Sequence, residues 1–328
     1  MSLVVQTSFI GDVILSTPLI AELGRRGAVD VVATPAGAAV LRGNPFVRHL
    51  VVYDKRGRDR GLLGLRRIAR SVRAERADTA YLAQGSLRSA MLARLAGYDE
   101  RVGFDTSPGR VLYSRRISFR RTQHHSERLL RLALGDATIA RDQLRPRVHP
   151  SDGDRAAVDD MLKNAGSRPL LALAPGSVWS TKRWPYYAQL AAAVQPSFRV
   201  VVIGSSEDTP LARSLTEATR GDAIDATGRL TLLGSAELIG RCRAIVTNDS
   251  APLHLASAMN TPTVAVFGPT VPAFGFGPLA EKTTIAEHRT LHCRPCHPHG
   301  PKVCPLGHWR CMRDLTVEDV LTRLGQIS

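Results

Sequence analysis

No run of apolar residues in this chain approaches the ~20 that a helix needs to cross a bilayer, so a spanning helix is excluded. The opening Met1-Ser2-Leu3-Val4-Val5 has no basic n-region and reads as a first strand, so the protein is expected to lack a signal peptide and to remain in the cytoplasm. Aromatic residues make up only 5% of the chain, too few for an obvious nucleic-acid stacking surface. Neither G-x-G-x-x-G after a strand nor G-x-x-x-x-G-K-S/T occurs, which removes the usual dinucleotide and P-loop readings. Carboxylates are about equally frequent in the two halves, whereas cationic residues crowd the first. Lys and Arg outnumber Asp and Glu by 26 to 13 through Pro150, and by 18 to 16 beyond it.

The net charge of +15 is therefore concentrated early, above all in Lys55–Arg76 and Arg110–Arg131. Solvated helix faces would account for both stretches. So would an anionic partner: phosphorylated glycolipid, membrane surface or nucleic acid. Charge alone does not choose among them.

With roughly 150 residues per domain, a chain of 328 is expected to form two. Short apolar runs alternate with amphipathic segments, the pattern of parallel α/β sheets with crossover helices. In the first half Leu3–Val5, Val29–Ala33, His49–Val52 and Thr79–Leu82 read as strands. Helices are expected at Asp12–Arg25, Ala36–Arg42, Leu62–Glu75 and Leu87–Ala96. Asp136–Asp154 has no clear periodicity, and the division is placed just after it, giving domains 1–154 and 155–328. The alternation then restarts, with strands at Leu170–Ala174, Arg199–Ile203, Ala244–Thr247 and Thr263–Phe267. Helices follow from about Pro185, from Thr209 and over Ala251–Met259. Two such halves facing a cleft would hold ligands at the carboxyl ends of their strands.

Three strand-to-helix junctions carry the chemistry. In Ser8-Phe9-Ile10-Gly11-Asp12, Asp12 falls at a helix start, where it is either an N-cap or a carboxylate that takes a proton from an incoming hydroxyl. Ala174–Pro185 (APGSVWSTKRWP) offers hydroxyls, backbone N–H groups and Lys182 to a phosphate, or is a solvated loop. Thr247–His254 (TNDSAPLH) sets Asp249 and Ser250 before a helix with His254 about one turn on. Capping and a satisfied core His would explain it, as would a diphosphate site on the helix end.

Together, IGDVILSTP, APGSVWSTKRWP, VVIGSSED and TNDSAPLHLASAMNTPTVAVFGPT resemble glycosyltransferase family 9, the ADP-heptose:lipopolysaccharide heptosyltransferases. They stand in the family's order and span most of Leu3–Asp319, and CRPCHPHGPKVCPLGHWRCM looks like the heptosyltransferase II branch. The resemblance implies a GT-B fold of two Rossmann-like domains, the first for the acceptor and the second for ADP-heptose. It implies Asp12 as general base and Lys182 as the cation facing the diphosphate. Ser177, Asp249, Ser250, Ala251 and His254 then line the donor pocket, and Glu207, or its neighbour Asp208, contacts the ribose. Relatives often carry a basic residue where this chain has Gln6 or Thr7. No D-x-D pair stands near the junctions to hold Mg²⁺, so a metal-independent, inverting transfer is expected. The acceptor implied is the anionic lipid A and inner core, met at the inner face of the inner membrane, with the second heptose added. Alternatives are transfer of the first heptose or another sugar, or a basic nucleic-acid-binding module. Nucleic acid is not expected, because the charge and the cysteine loop lie in different halves.

Cys293, Cys296, Cys304 and Cys311 fall within one Pro- and His-rich loop, and Cys242 lies apart. Such spacing can form a structural Zn site, with His297, His299 or His308 as substitute ligands. Reduced buried thiols are the alternative. Either way the loop is expected to be structural and remote from the chemistry.

Overall fold

Strands buried on both faces require almost unbroken apolar runs. Val29–Ala33, Ala244–Asn248 and Thr263–Phe267 are such strands, buried at every position. The computed structural model describes residues 1–73 and 78–327, so Glu75 and Arg76, the end of the first basic stretch, lie outside the described residues, as does residue 328. The chain divides into two compact units, Met1–His149 and Pro150–Ser328.

The first unit runs β1 (Ser2–Gln6), α1 (Ile10–Leu15), α2 (Thr17–Gly24), β2 (Val29–Ala33), α3 (Pro35–Leu41), β3 (Val47–Val52), α4 (Gly61–Ser71), β4 (Thr79–Tyr81), α5 (Leu87–Leu95), β5 (Glu100–Phe104), β6 (Arg115–Ile117) and α6 (His125–Leu134). The second runs α7 (Asp152–Leu162), β7 (Leu170–Ala174), α8 (Tyr187–Val194), β8 (Arg199–Val202), α9 (Thr209–Ala218), β9 (Ile224–Asp225), α10 (Leu232–Gly240), β10 (Ala244–Asn248), α11 (Ala251–Met259), β11 (Thr263–Phe267), β12 (Thr283–Glu287), α12 (Arg310–Arg313) and α13 (Val317–Gly325).

Each unit builds one six-stranded sheet, ordered β3-β2-β1-β4-β5-β6 and β12-β11-β10-β7-β8-β9. Neighbouring strands are parallel throughout. Counted from each unit's own first strand, the two orders are the same doubly wound order. The winding reverses between β1 and β4 in one and between β7 and β10 in the other. Loops leaving the carboxyl ends of those strands border the natural ligand crevice.

Three expectations need correction. The single helix Asp12–Arg25 is two helices, broken at Ser16. Pro18 has no N–H for the Ile14 carbonyl, and Thr17 Oγ1 donates to that oxygen instead, at 2.8 Å. The division falls at 149/150 rather than after Asp154, because Asp154 lies inside α7. Its carboxylate accepts from Ser151 N at 2.9 Å while Ser151 Oγ accepts from Asp154 N at 3.2 Å, a capping box that ties the segment to the second unit. Strands β5, β6, β9 and β12 were not anticipated. β6 has two exposed Arg and β9 only two residues, so neither shows an apolar run.

The β8–β9 side of the second unit is pinned by Asp222, which accepts from Arg168 at 2.7 Å and pairs with Arg199. Burial pushes its pKa up, but the two guanidiniums outweigh that and hold it below the ordinary carboxylate value. The pair therefore stabilises the fold above the unfolded pKa of about 3.9 and loses that contribution as pH falls through the lower folded value. Asp222→Asn should lower the melting temperature at neutral pH, with the gap to the parent closing in acid. A gap that persists at pH about 2 would show that charge is not the cause.

Candidate active site

In the first unit, β1 enters α1 through Thr7-Ser8-Phe9. Phe9 is the N-cap and Asp12 the third helical residue, so Asp12 does not cap the helix. Its Oδ1 lies 3.6 Å from His125 Nε2, both side chains being under one-fifth exposed. His125 comes from α6, which Ser126 Oγ fastens to Leu15 O at 2.9 Å. One turn along α6, Arg128 is buried, and burial lowers its pKa while the nearby Asp12 charge opposes that shift. The carboxylate thus lies in the field of a buried cation.

The buried Gln6 side chain stitches the turn, donating to Asp12 O at 3.3 Å and accepting from Ser8 Oγ at 2.7 Å. Neither Gln6 nor Thr7 is basic, but Lys55 Nζ, from the β3–α4 loop, donates to Thr7 O at 2.6 Å. Burial, then Arg56 and Arg88, lower the Lys55 pKa.

In the second unit, reversal of the strand order brings the loop after β7 against the loop after β10. The hub is buried Asn248. Its Oδ1 accepts from Trp184 N at 3.2 Å and from Tyr187 Oη at 3.3 Å, and its Nδ2 donates to Pro175 O at 2.9 Å. With the loops so joined, Lys182 Nζ donates to Asp249 Oδ2 at 2.6 Å, and Thr270 Oγ1 donates to the same oxygen at 2.7 Å. Lys182 is 7% exposed.

Ser250 is the N-cap of α11 without a side-chain cap bond. Pro252 has no N–H and Leu253 N closes on Ser250 O, which leaves the Ser250 and Ala251 N–H groups at that end. His254, buried one turn on, has its ring centroid 6.3 Å from that of Phe276. Ser177 Oγ accepts from Trp179 N at 3.3 Å. After β8, Asp208 is occupied, its Oδ2 accepting from Ser205 N and Oγ at 2.9 Å each. Glu207 is exposed.

The cysteine loop is not remote; it packs on Lys182. Thr181 Oγ1 donates to Pro301 O, Trp309 Nε1 donates to Thr181 O at 2.8 Å, and Trp179 stacks on His299. Gly300, at φ +81°, comes so close to the lysine stem that a Cβ there would lie 3.1 Å from Lys182 Cε. The thiols take separate contacts. Cys311 joins the core beside Met312 and Leu315, and burial pushes its pKa up to about 12. Cys304 Sγ accepts from Trp309 N at 3.4 Å, Cys296 Sγ donates to Cys293 O at 3.1 Å, and Cys293 Sγ is 3.9 Å from His308 Nε2. Among the described residues no three His, Cys, Asp or Glu are placed to hold a metal ion, so the Zn arrangement has no support in this geometry.

Asn248, Thr270, His125, Arg128 and Lys55 escaped the sequence reading. Asn248 stood within a quoted motif, and Arg128 within a basic stretch taken only as bulk charge.

Comparison with known proteins gives the chain's relatives. The chain is 28% identical over 348 residues to lipopolysaccharide heptosyltransferase 2 of Escherichia coli (strain K12), covering 99% of this chain and 97% of that protein. Among solved structures, a glycosyl transferase family 9 protein from Veillonella parvula superposes with a TM-score of 0.86 at 22% identity, covering 99% of this chain and 96% of that one. E. coli ADP-heptose LPS heptosyltransferase II does so with a TM-score of 0.79 at 26% identity, covering 99% and 98%. The fold is GT-B. The family model described as glycosyltransferase family 9 (heptosyltransferase) matches residues 65–309, three-quarters of the sequence, and the chain belongs to that family.

Proposed function

We propose that this protein transfers a heptose from ADP-heptose to the inner core of lipopolysaccharide, adding the second heptose, with inversion and without a catalytic metal. The near full-length similarity to a lipopolysaccharide heptosyltransferase 2 carries the reading. As the bond between the anomeric carbon and the diphosphate oxygen breaks, negative charge grows on the departing ADP. Lys182 and the start of α11 meet that charge, a role metals fill elsewhere. Asp249, already engaged by Lys182 and Thr270, holds the lysine in place. Ser177, Ser250, Ala251 and His254 line the donor pocket. Glu207 takes the ribose hydroxyls, since Asp208 is committed to its own turn. Asp12 accepts the proton of the acceptor hydroxyl as its oxygen bonds to the anomeric carbon from the opposite face.

The basic first unit serves an anionic, lipid-anchored acceptor at the inner face of the inner membrane rather than nucleic acid. No described helix is long and apolar enough to cross a membrane. Calorimetry should find that ADP-heptose binds, ADP binds more weakly and UDP-glucose poorly, and transfer should survive EDTA. Equal affinity for UDP-glucose would sink the reading. Gly300→Ala places a side chain at positive φ against the Lys182 stem. It should cost about 1–2 kcal/mol of stability and weaken ADP binding several-fold. Parental ADP affinity in that variant would leave the cysteine loop no part in donor binding.

A further inference from the structure

The β3–α4 loop and the outer face of α4 form a surface that the proposed reaction does not use. Leu62 is 64% exposed and Leu63 80%, both in the first turn of α4. The buried face of that helix is already occupied, with Leu65, Ile68 and Ala69 packed into the core around Tyr53 and Leu82. Leu63, Arg66, Arg67 and Arg70 recur at i, i+3, i+4 and i+7, so they share the outward face, and all four are exposed. Arg56, Arg58 and Arg60 in the preceding loop are exposed too.

The loop's own carboxylates leave most of this charge unneutralised. Asp59 is fully buried, pairs with Arg67 and accepts from Asp54 N at 2.9 Å. Asp54 turns back to accept from Gly57 N at 2.9 Å and Arg58 N at 3.2 Å. Among the described residues, no carboxylate lies within ion-pair distance of Arg56, Arg60, Arg66 or Arg70. Gly64 lets the helix start sit directly on the loop, since a Cβ there would fall 2.2 Å from Asp59 O. The two leucines are thus held outward by a hydrogen-bonded base. Lys55 ties this base to the turn that leads into Asp12.

We propose that Leu62 and Leu63 insert into an anionic lipid bilayer while Arg56, Arg60, Arg66 and Arg70 engage its phosphate head groups. An apolar tip flanked by cations is the layout of an interfacial helix, and the sign of the charge selects an anionic surface. The inference deepens the reading of a lipid-anchored acceptor, because it brings the Asp12 turn to the level of the head groups.

The test uses the full chain and vesicles of phosphatidylethanolamine with phosphatidylglycerol, free of lipopolysaccharide, against vesicles of phosphatidylcholine. The protein should co-sediment with the anionic vesicles only, and release should follow at about 0.5 M salt, where the Debye length is a few ångströms. The double variant Leu62→Ser/Leu63→Ser should bind at least about tenfold more weakly, as loss of buried apolar area requires. It should keep the parental melting temperature and the parental turnover on a deacylated, water-soluble acceptor. L63W should show a blue-shifted emission on anionic vesicles only. Parental vesicle binding by the double variant overturns the proposal. So does failure of the parent to bind, equal binding to phosphatidylcholine, or a matching fall in turnover on the soluble acceptor. If vesicle binding behaves as expected and no heptose is transferred, the proposed activity fails and this surface stands.

Discussion

Asp12→Asn is expected to fold, to bind ADP-heptose as the parent does, and to lose about 10²- to 10⁴-fold in kcat. The capping role that would explain a conserved fold effect belongs to Phe9, so the substitution removes no cap. What the helix loses is a charge in its first turn, worth about 0.3–1 kcal/mol. Asn has nearly the shape of Asp and keeps the neighbourhood of His125, but it accepts no proton. If His125, 3.6 Å away, acts only by positioning the carboxylate, His125→Gln should cost far less than loss of Asp12 itself. Single-turnover kinetics on the lipid acceptor, alongside ADP-heptose calorimetry, separates chemistry from binding. A folded Asp12→Asn protein with near-parental kcat would move the search for the base elsewhere.

Lys182→Ala should lower kcat/KM by about 10²–10³, the scale of losing one preorganised charge contact to the developing anion. The substitution has a second effect, because it strands the Asp249 carboxylate, 11% exposed, next to the proposed diphosphate position. Breaking such a pair costs about 3 kcal/mol or more where the remaining charge is buried. Thr270 offsets part of that, still donating to the same oxygen. The double variant Lys182→Ala/Asp249→Asn separates the two effects. If Lys182 contacts the diphosphate, the double variant recovers stability and stays slow. If Lys182 only neutralises Asp249, the double variant regains the parental rate, and the assignment of Lys182 to the leaving group is lost.

The parts legible in the sequence were those whose signal is local. Strands Val29–Ala33, Leu170–Ala174 and Thr263–Phe267 coincide with their apolar runs because burial on both faces demands such runs. Helix α11 runs over Ala251–Met259 as read, opened by Ser250 and Pro252 and closed by Asn260 at φ +58°. The helix at Asp12 was placed two residues late, because Phe9 caps it without offering any side-chain oxygen as a signal. The partners of the site residues were not legible. Asp249 stands 67 residues from Lys182, and only the strand order sets β10 beside β7. His125 reaches Asp12 through the packing of α6 on α1, which no periodicity announces. The cysteine spacing left a metal site and reduced thiols both open, and nothing in it announced the segment's contact with the loop 120 residues upstream.

That contact has a bearing on the order in which the protein is made. Domains form from the N-terminus as a chain is synthesised. When Lys182 emerges, its buttress at Gly300 and Pro301 does not yet exist, nor do Met312, Leu315, Val320 and Leu324, which fill the core of the same unit. A nascent chain ending after β12 would carry all six strands of that sheet, with Asp249 and Thr270 to hold the lysine's ammonium but nothing yet packed on its stem from the cysteine loop. The packing around Lys182 is therefore completed only with the last stretch of translation.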